Sequence, residues 1–98
     1  GQRILFKNYT TNYTKSMKEN LDLYNEVFRT TFCLDADTPL NSLQLKLSPQ
    51  WDSVGHINLV SALEETFEID IDPVDMFEMT TYEKGKVILS DKYGILFE

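Results

Sequence analysis

Apolar residues recur at helical intervals in two parts of this chain, which are separated by loops rich in proline and short polar side chains. In the first part, Met17, Leu21, Tyr24 and Phe28 recur three or four residues apart. The pattern begins within Ser16-Met17-Lys18-Glu19, which has the spacing of a capping box at a helix start. The pattern predicts a first helix of about four turns whose apolar side belongs to the core.

The second part begins at Ser53 and predicts a helix with two distinct sides, because successive residues are rotated by about 100°. One side, which we expect to be core, carries His56, Leu59, Val60, Leu63 and Phe67. The other, which we expect to face solvent, carries Val54, Asn58, Ser61 and Glu65.

Local signals predict two further helices. Pro73 suits the first position of a short third helix over 73–77. Thr80-Thr81-Tyr82-Glu83 has capping-box spacing for a last helix that Gly94 would end. Within that helix, Gly85 and Lys86 occupy positions where apolar core residues are expected, which predicts loose packing or a shifted register. The expected fold is all-α, a small four-helix bundle of three main helices and one short helix.

A long connection should join the first two main helices. Asp35-Ala36-Asp37-Thr38-Pro39 breaks the first helical pattern, and the chain then runs to Pro49 before the next helix. We expect this connection to pack against the bundle, because it contains four leucines: Leu40, Leu43, Leu45 and Leu47.

Chain length fits one small monomeric domain, since 98 residues with 42% hydrophobic content can build a single core. Residues 1–16 are rich in Thr, Asn and Tyr without clear periodicity. We interpret them as a natural extension or a remnant of expression, and we assign the folded domain to residues 17–98.

Acidic residues dominate the second half of the chain. The formal net charge is −7, and the segment from Leu47 to Glu83 contains nine acids but no lysine or arginine. Nucleic acid is therefore not an expected partner. Such a surface attracts basic patches on partner proteins and speeds encounter. The alternative is a solvated surface that serves only solubility.

Other chemistry has little support in the sequence. The single cysteine, Cys33, lies beside Phe32 and Leu34, which predicts a small buried hydrophobic residue. Asp70-Ile71-Asp72-Pro73-Val74-Asp75 resembles a calcium loop faintly but lacks the later ligands, so we expect no metal site. No segment is apolar enough for a membrane span or a signal peptide, and a cytoplasmic location is the default expectation.

Asp52-Ser53 places a carboxylate and a hydroxyl at the start of the second helix. A helix N-terminus favours a phosphate group, and Asp52 is a suitable N-cap. A hydrolase triad with His56 is excluded geometrically, because neighbours on one helical turn diverge. His56 is then either a histidine that borders the core or one that lines the mouth of a cavity between helices.

The run from Trp51 to Phe67 resembles the phosphopantetheine site of the acyl carrier protein family, and the likeness continues through 68–71 and 79–81. The resemblance implies that Ser53 receives a 4'-phosphopantetheine arm from coenzyme A, which makes the chain a phosphoprotein that carries cargo as a thioester. It also implies recognition of Asp52 by the phosphopantetheinyl transferase and partner docking through Val54, where the family usually has Leu. Gly55 would mark a loosely wound first turn or leave room beside the arm.

On this resemblance the chain is expected to be a free-standing, non-catalytic carrier of acyl or aminoacyl intermediates. Its partners would be the transferase and the loading and processing enzymes of fatty-acid, polyketide, D-alanyl, aminoacyl or specialised metabolite pathways. The expected docking residues are Asp52, Val54, Asn58, Ser61, Glu64 and Glu65. The alternative is a helical protein-interaction module that has the same acidic face and is never modified.

Overall fold

The computed structural model describes the backbone of residues 2–97 and the side chains of residues 17–97. It confirms the all-α class. The helices are α1 (Gln2–Phe32), α2 (Ser53–Phe67), α3 (Pro73–Glu78) and α4 (Tyr82–Tyr93), with a 3₁₀ turn at Leu40–Ser42. In the described part of the chain, no helix combines the length and apolar content that a membrane span requires.

Helix α1 begins much earlier than the sequence predicted. Its backbone is helical from Gln2, so the capping-box residues Ser16–Glu19 lie inside the helix and the proposed boundary after residue 16 falls within it. No helix start was predicted here because the segment is rich in Thr, Asn and Tyr, whose helix propensities are modest, and propensity is only a weak guide. At its C-terminus α1 ends as expected, before Cys33 takes a positive φ of 54°.

Cys33 is exposed, so the expectation of a buried cysteine was wrong. The chain leaves the helix at this residue, and the backbone N–H of Leu34 reaches back to the carbonyl of Arg29 at 2.9 Å. This turn places Phe32 in the core and Cys33 outside it.

An aromatic cluster forms the centre of the bundle. The ring centroid of Phe28 lies 4.9 Å from that of Tyr24, 5.3 Å from that of Trp51 and 5.4 Å from that of Tyr82. Contacts at these distances and tilted angles are favourable beyond the burial of area. The cluster therefore joins α1, the loop before α2 and the first residue of α4.

The long connection packs against the bundle through three of its four leucines. Leu40 and Leu43 are buried and Leu45 packs against the core, whereas Leu47 is 78% exposed, contrary to the expectation. The Leu45 N–H donates to the carbonyl of Thr80 at 3.0 Å, and the Lys46 N–H donates to that of Trp51 at 2.7 Å. The second bond closes a turn over residues 46–51, and Leu47 lies exposed within this turn.

The two C-terminal helices match their predicted limits closely. Helix α3 ends one residue later than expected, and α4 is capped by Thr81 instead of Thr80, with the Lys84 N–H donating to the Thr81 hydroxyl at 3.0 Å. Gly94 ends α4 with a φ of 69°, as predicted.

Helix α4 packs tightly at Gly85, so the expected looseness is absent. A Cβ added at Gly85 would lie 2.1 Å from the Tyr24 hydroxyl oxygen, and that hydroxyl donates to the carbonyl of Tyr82 at 2.9 Å. The missing side chain makes room for Tyr24. Lys86 lies partly over the Tyr82 ring, with its amine 4.9 Å from the centroid.

Candidate functional site

Asp52 is the N-cap of α2, as the sequence predicted. Its backbone is extended, and its Oδ1 accepts a hydrogen bond from the Gly55 N–H at 2.7 Å. Its carbonyl accepts the first helical bond from the His56 N–H at 2.8 Å. The carboxylate therefore satisfies one of the unpaired donors of the first turn.

Ser53 is the first helical residue and is exposed. Its hydroxyl stands where the positive end of the helix dipole and the remaining first-turn N–H groups favour an attached phosphate. The geometry offers an accessible hydroxyl beside a capped helix end.

Gly55 is required by close packing, which differs from both expectations for it. An added Cβ would lie 2.8 Å from the Gln50 carbonyl oxygen and 3.1 Å from a carbon of the Phe32 ring. The loop before α2 thus lies directly against the first turn.

His56 is buried and bonded at both ring nitrogens. The Trp51 indole N–H donates to His56 Nδ1 at 3.0 Å, and His56 Nε2 lies 2.7 Å from the carbonyl oxygen of Met76. Because an indole nitrogen only donates, Nδ1 must accept, and the ring proton belongs on Nε2, which donates to Met76. The ring therefore binds Trp51 and Met76 and makes no triad with Asp52 and Ser53.

The two sides of α2 are placed as the sequence predicted. His56, Leu59, Val60 and Leu63 are buried, and Phe67 packs at the edge of the core. The exposed residues are Val54, Asn58, Ser61 and Glu65.

Ile57 is an exposed residue of this surface that the sequence analysis missed. It is 59% exposed, beside Val54 at 67%. The signal was present, because a residue three positions after Val54 lies only about 60° from it around the helix. Two apolar side chains therefore stand on the solvent side of the first two turns.

Glu64 and Glu65, both expected to dock partners, differ in their surroundings. Glu65 is exposed, whereas Glu64 is partly buried and its Oε2 accepts from the Ile71 N–H at 2.8 Å. Glu64 therefore holds the loop that follows α2, and its replacement would disturb that loop.

Seven of the nine acids between Leu47 and Glu83 are exposed. Besides the partly buried Glu64, the exception is Asp75, which is 3% exposed. The exposed acids are Asp52, Glu65, Glu68, Asp70, Asp72, Glu78 and Glu83. Among the described side chains, no group of three His, Cys, Asp or Glu residues is arranged to hold a metal ion.

Asp75 ties α3 to the end of α4. Its two carboxylate oxygens accept hydrogen bonds from Lys92 Nζ and from the Tyr93 hydroxyl, each at 2.6 Å. The Tyr93 oxygen in turn accepts from the Asp72 N–H at 2.8 Å. The bonds from Lys92 and Tyr93 hold the pKa of the Asp75 carboxyl below its usual range.

Comparisons with protein-family models, with curated protein sequences and with solved structures gave no match to this chain.

Replacing Asp75 with Asn should make the free energy of unfolding fall less steeply as the pH is lowered. Because the native pKa of Asp75 is lowered, its contribution is present above the pKa of the unfolded chain and is lost as the pH falls through the native value. Urea unfolding at a series of acidic pH values should show a shallower decline for Asp75→Asn than for the wild type. The exposed Asp70→Asn variant is the matched control and should decline like the wild type, and equal slopes for Asp75→Asn would contradict the assignment.

Proposed function

We propose that this chain is an acyl carrier protein, modified at Ser53 by a 4'-phosphopantetheine arm from coenzyme A. The strongest support is the exposed Ser53 hydroxyl at the first position of a capped helix, within a small helical bundle. The family resemblance of the sequence around it adds the identity of the modification. The proposal keeps the monomeric state and cytoplasmic location expected from the sequence.

In arm attachment, this chain would only hold the Ser53 hydroxyl in an accessible position. In the proposed reaction the Ser53 oxygen attacks the coenzyme A phosphorus that bears the arm, a phosphodiester forms, and the adenosine bisphosphate leaves. The transferase supplies the metal and the phosphoryl-transfer chemistry. When attached, the arm supplies a terminal thiol that holds cargo as a thioester.

The exposed side of α2 fits the proposed docking face. Val54 and Ile57 supply apolar contact at its start, and Asn58, Ser61 and Glu65 continue it. The surrounding exposed acids would attract basic patches on loading and processing enzymes, and binding should weaken as salt screens them. A carrier gains from this arrangement because it meets several enzymes in turn.

An unmodified interaction module is the competing function, since the exposed Val54 and Ile57 beside acidic residues would also suit a permanent docking surface. The two functions differ in one property, which is covalent modification of Ser53.

Incubation with coenzyme A and a broad-specificity phosphopantetheinyl transferase should add one phosphopantetheine unit to the wild type and none to Ser53→Ala. The Ser53 oxygen is the expected nucleophile, so its removal abolishes the bond. Intact-protein mass spectrometry measures the gain. Ser42→Ala, an exposed serine in the connection between α1 and α2, is the matched control and should be modified like the wild type.

A folded wild type that gains no unit with several transferases would contradict the carrier function and favour the unmodified module. Modification of Ser53→Ala would place the arm elsewhere.

Glu65→Lys should slow the transferase reaction severalfold at low salt and leave the stability of the fold nearly unchanged, because exposed helix charges contribute little to folding. The readout is kcat/KM for arm attachment at low and high salt. Asp91→Lys makes the same charge change on an exposed position of α4 and should have a much smaller effect. Equal slowing by both variants would show that net charge, and not the α2 surface, steers the encounter.

A further inference from the structure

Helices α2 and α3 are joined by a hydrogen bond of the His56 ring, one helical turn after Ser53. Together with the bond from Trp51 to the same ring, it forms a polar bridge. His56, three residues after Ser53, donates from Nε2 to the Met76 carbonyl of α3 at 2.7 Å. On its other nitrogen it accepts from Trp51, in the loop that leads into α2. The imidazole therefore fills the seam between the two helices at the end nearest the attachment point, and it is itself buried.

The space behind this bridge is filled by large side chains. Trp51 is fully buried, and its ring stacks beside His56 with 6.0 Å between centroids and packs on Phe28 and Phe32 at 5.3 and 5.6 Å. Leu59, Leu63, Ile71 and Met79 are also buried in the core. A close-packed interior has no room for an extra chain unless side chains move.

Admitting an alkyl chain at this point would carry two costs. The His56 ring would have to leave both of its partners, so buried donors and acceptors would lose their hydrogen bonds. The Trp51 ring would also have to leave the aromatic cluster that anchors the loop before α2. A chain attached through Ser53 meets this closed end first.

We infer that His56 is a specificity-determining residue that keeps cargo out of the bundle, so that this carrier holds its acyl group on the surface. The inference rests on the proposed function and names the cargo class as short or polar acyl groups. A long alkyl chain held in this way would stay in water, which is unfavourable in proportion to its apolar area. A short or polar group would suffer little from exposure.

The test compares the accessibility of two thioesters on the wild type. Acetyl- and octanoyl-coenzyme A serve as arm donors, and intact mass confirms each loaded form. Hydroxylamine then attacks the thioester carbonyl, the carbon–sulfur bond breaks, the arm thiol leaves and an acyl hydroxamate forms. Each rate is divided by that of the same thioester on free pantetheine.

The expected result is the same normalised rate for both groups. A chain buried nine-tenths of the time would instead react about tenfold more slowly, because only the exposed fraction reacts. Such protection of the octanoyl group on the wild type would overturn the inference while leaving the carrier function intact. Failure of arm attachment would overturn the proposed function, and the inference with it.

His56→Ala tests the residue itself. Removing the imidazole opens the bridge, and the octanoyl thioester should then become protected relative to the acetyl thioester. Asn41→Ala, at an exposed position of the connection before α2, should react like the wild type. If the octanoyl thioester on a folded His56→Ala variant still reacts at the same normalised rate as the acetyl thioester, the role of His56 is overturned. If this variant does not fold, the comparison of the two thioesters on the wild type still decides where the cargo lies.

Discussion

The hydrogen-bonded chain from the Trp51 indole through the His56 imidazole to the Met76 carbonyl organises the region around Ser53. It connects the loop before α2, the first turn of α2 and the short helix α3 at donor–acceptor distances of 3.0 and 2.7 Å. Since all three groups lie in or at the edge of the core, leaving any of them unpaired would be costly. The position of Ser53 therefore depends on an interaction that Ser53 itself does not make.

The proposed carrier role uses this arrangement in two ways. On the solvent side of the bridge, the capped start of α2 would present the Ser53 hydroxyl to an enzyme. Val54 and Ile57 lie beside it on the exposed surface. On the core side of the bridge, the aromatic rings of Phe28, Phe32 and Trp51 pack against one another. A module of this kind contributes a position and a docking surface, and its partners contribute the chemistry.

Local signals in the sequence were sufficient for three of the four helices and for the cap of the site. The Asp52 cap, the Pro73 start and the Gly94 stop depend on neighbours within a few residues, so α2, α3 and α4 were predicted to within about one residue. The start of α1 was missed because its first half is rich in Thr, Asn and Tyr, which have modest helix propensity, and shows no clear periodicity. The roles of Asp75 and Gly85 were also missed, because each depends on partners 17 or more residues away in the chain. The bridging role of His56 was missed because its second partner, Met76, is 20 residues away.

The most direct test of this account is the protonation of the His56 ring, observed through its nitrogen–proton correlations in the NMR spectrum of the isotopically labelled protein at neutral pH. The bridge from Trp51 through His56 to Met76 predicts a single tautomer with the proton on Nε2, an unprotonated Nδ1 and a slowly exchanging Trp51 indole proton, because each site is fixed by one partner. A proton on Nδ1, or a mixture of tautomers with a rapidly exchanging indole proton, would contradict it.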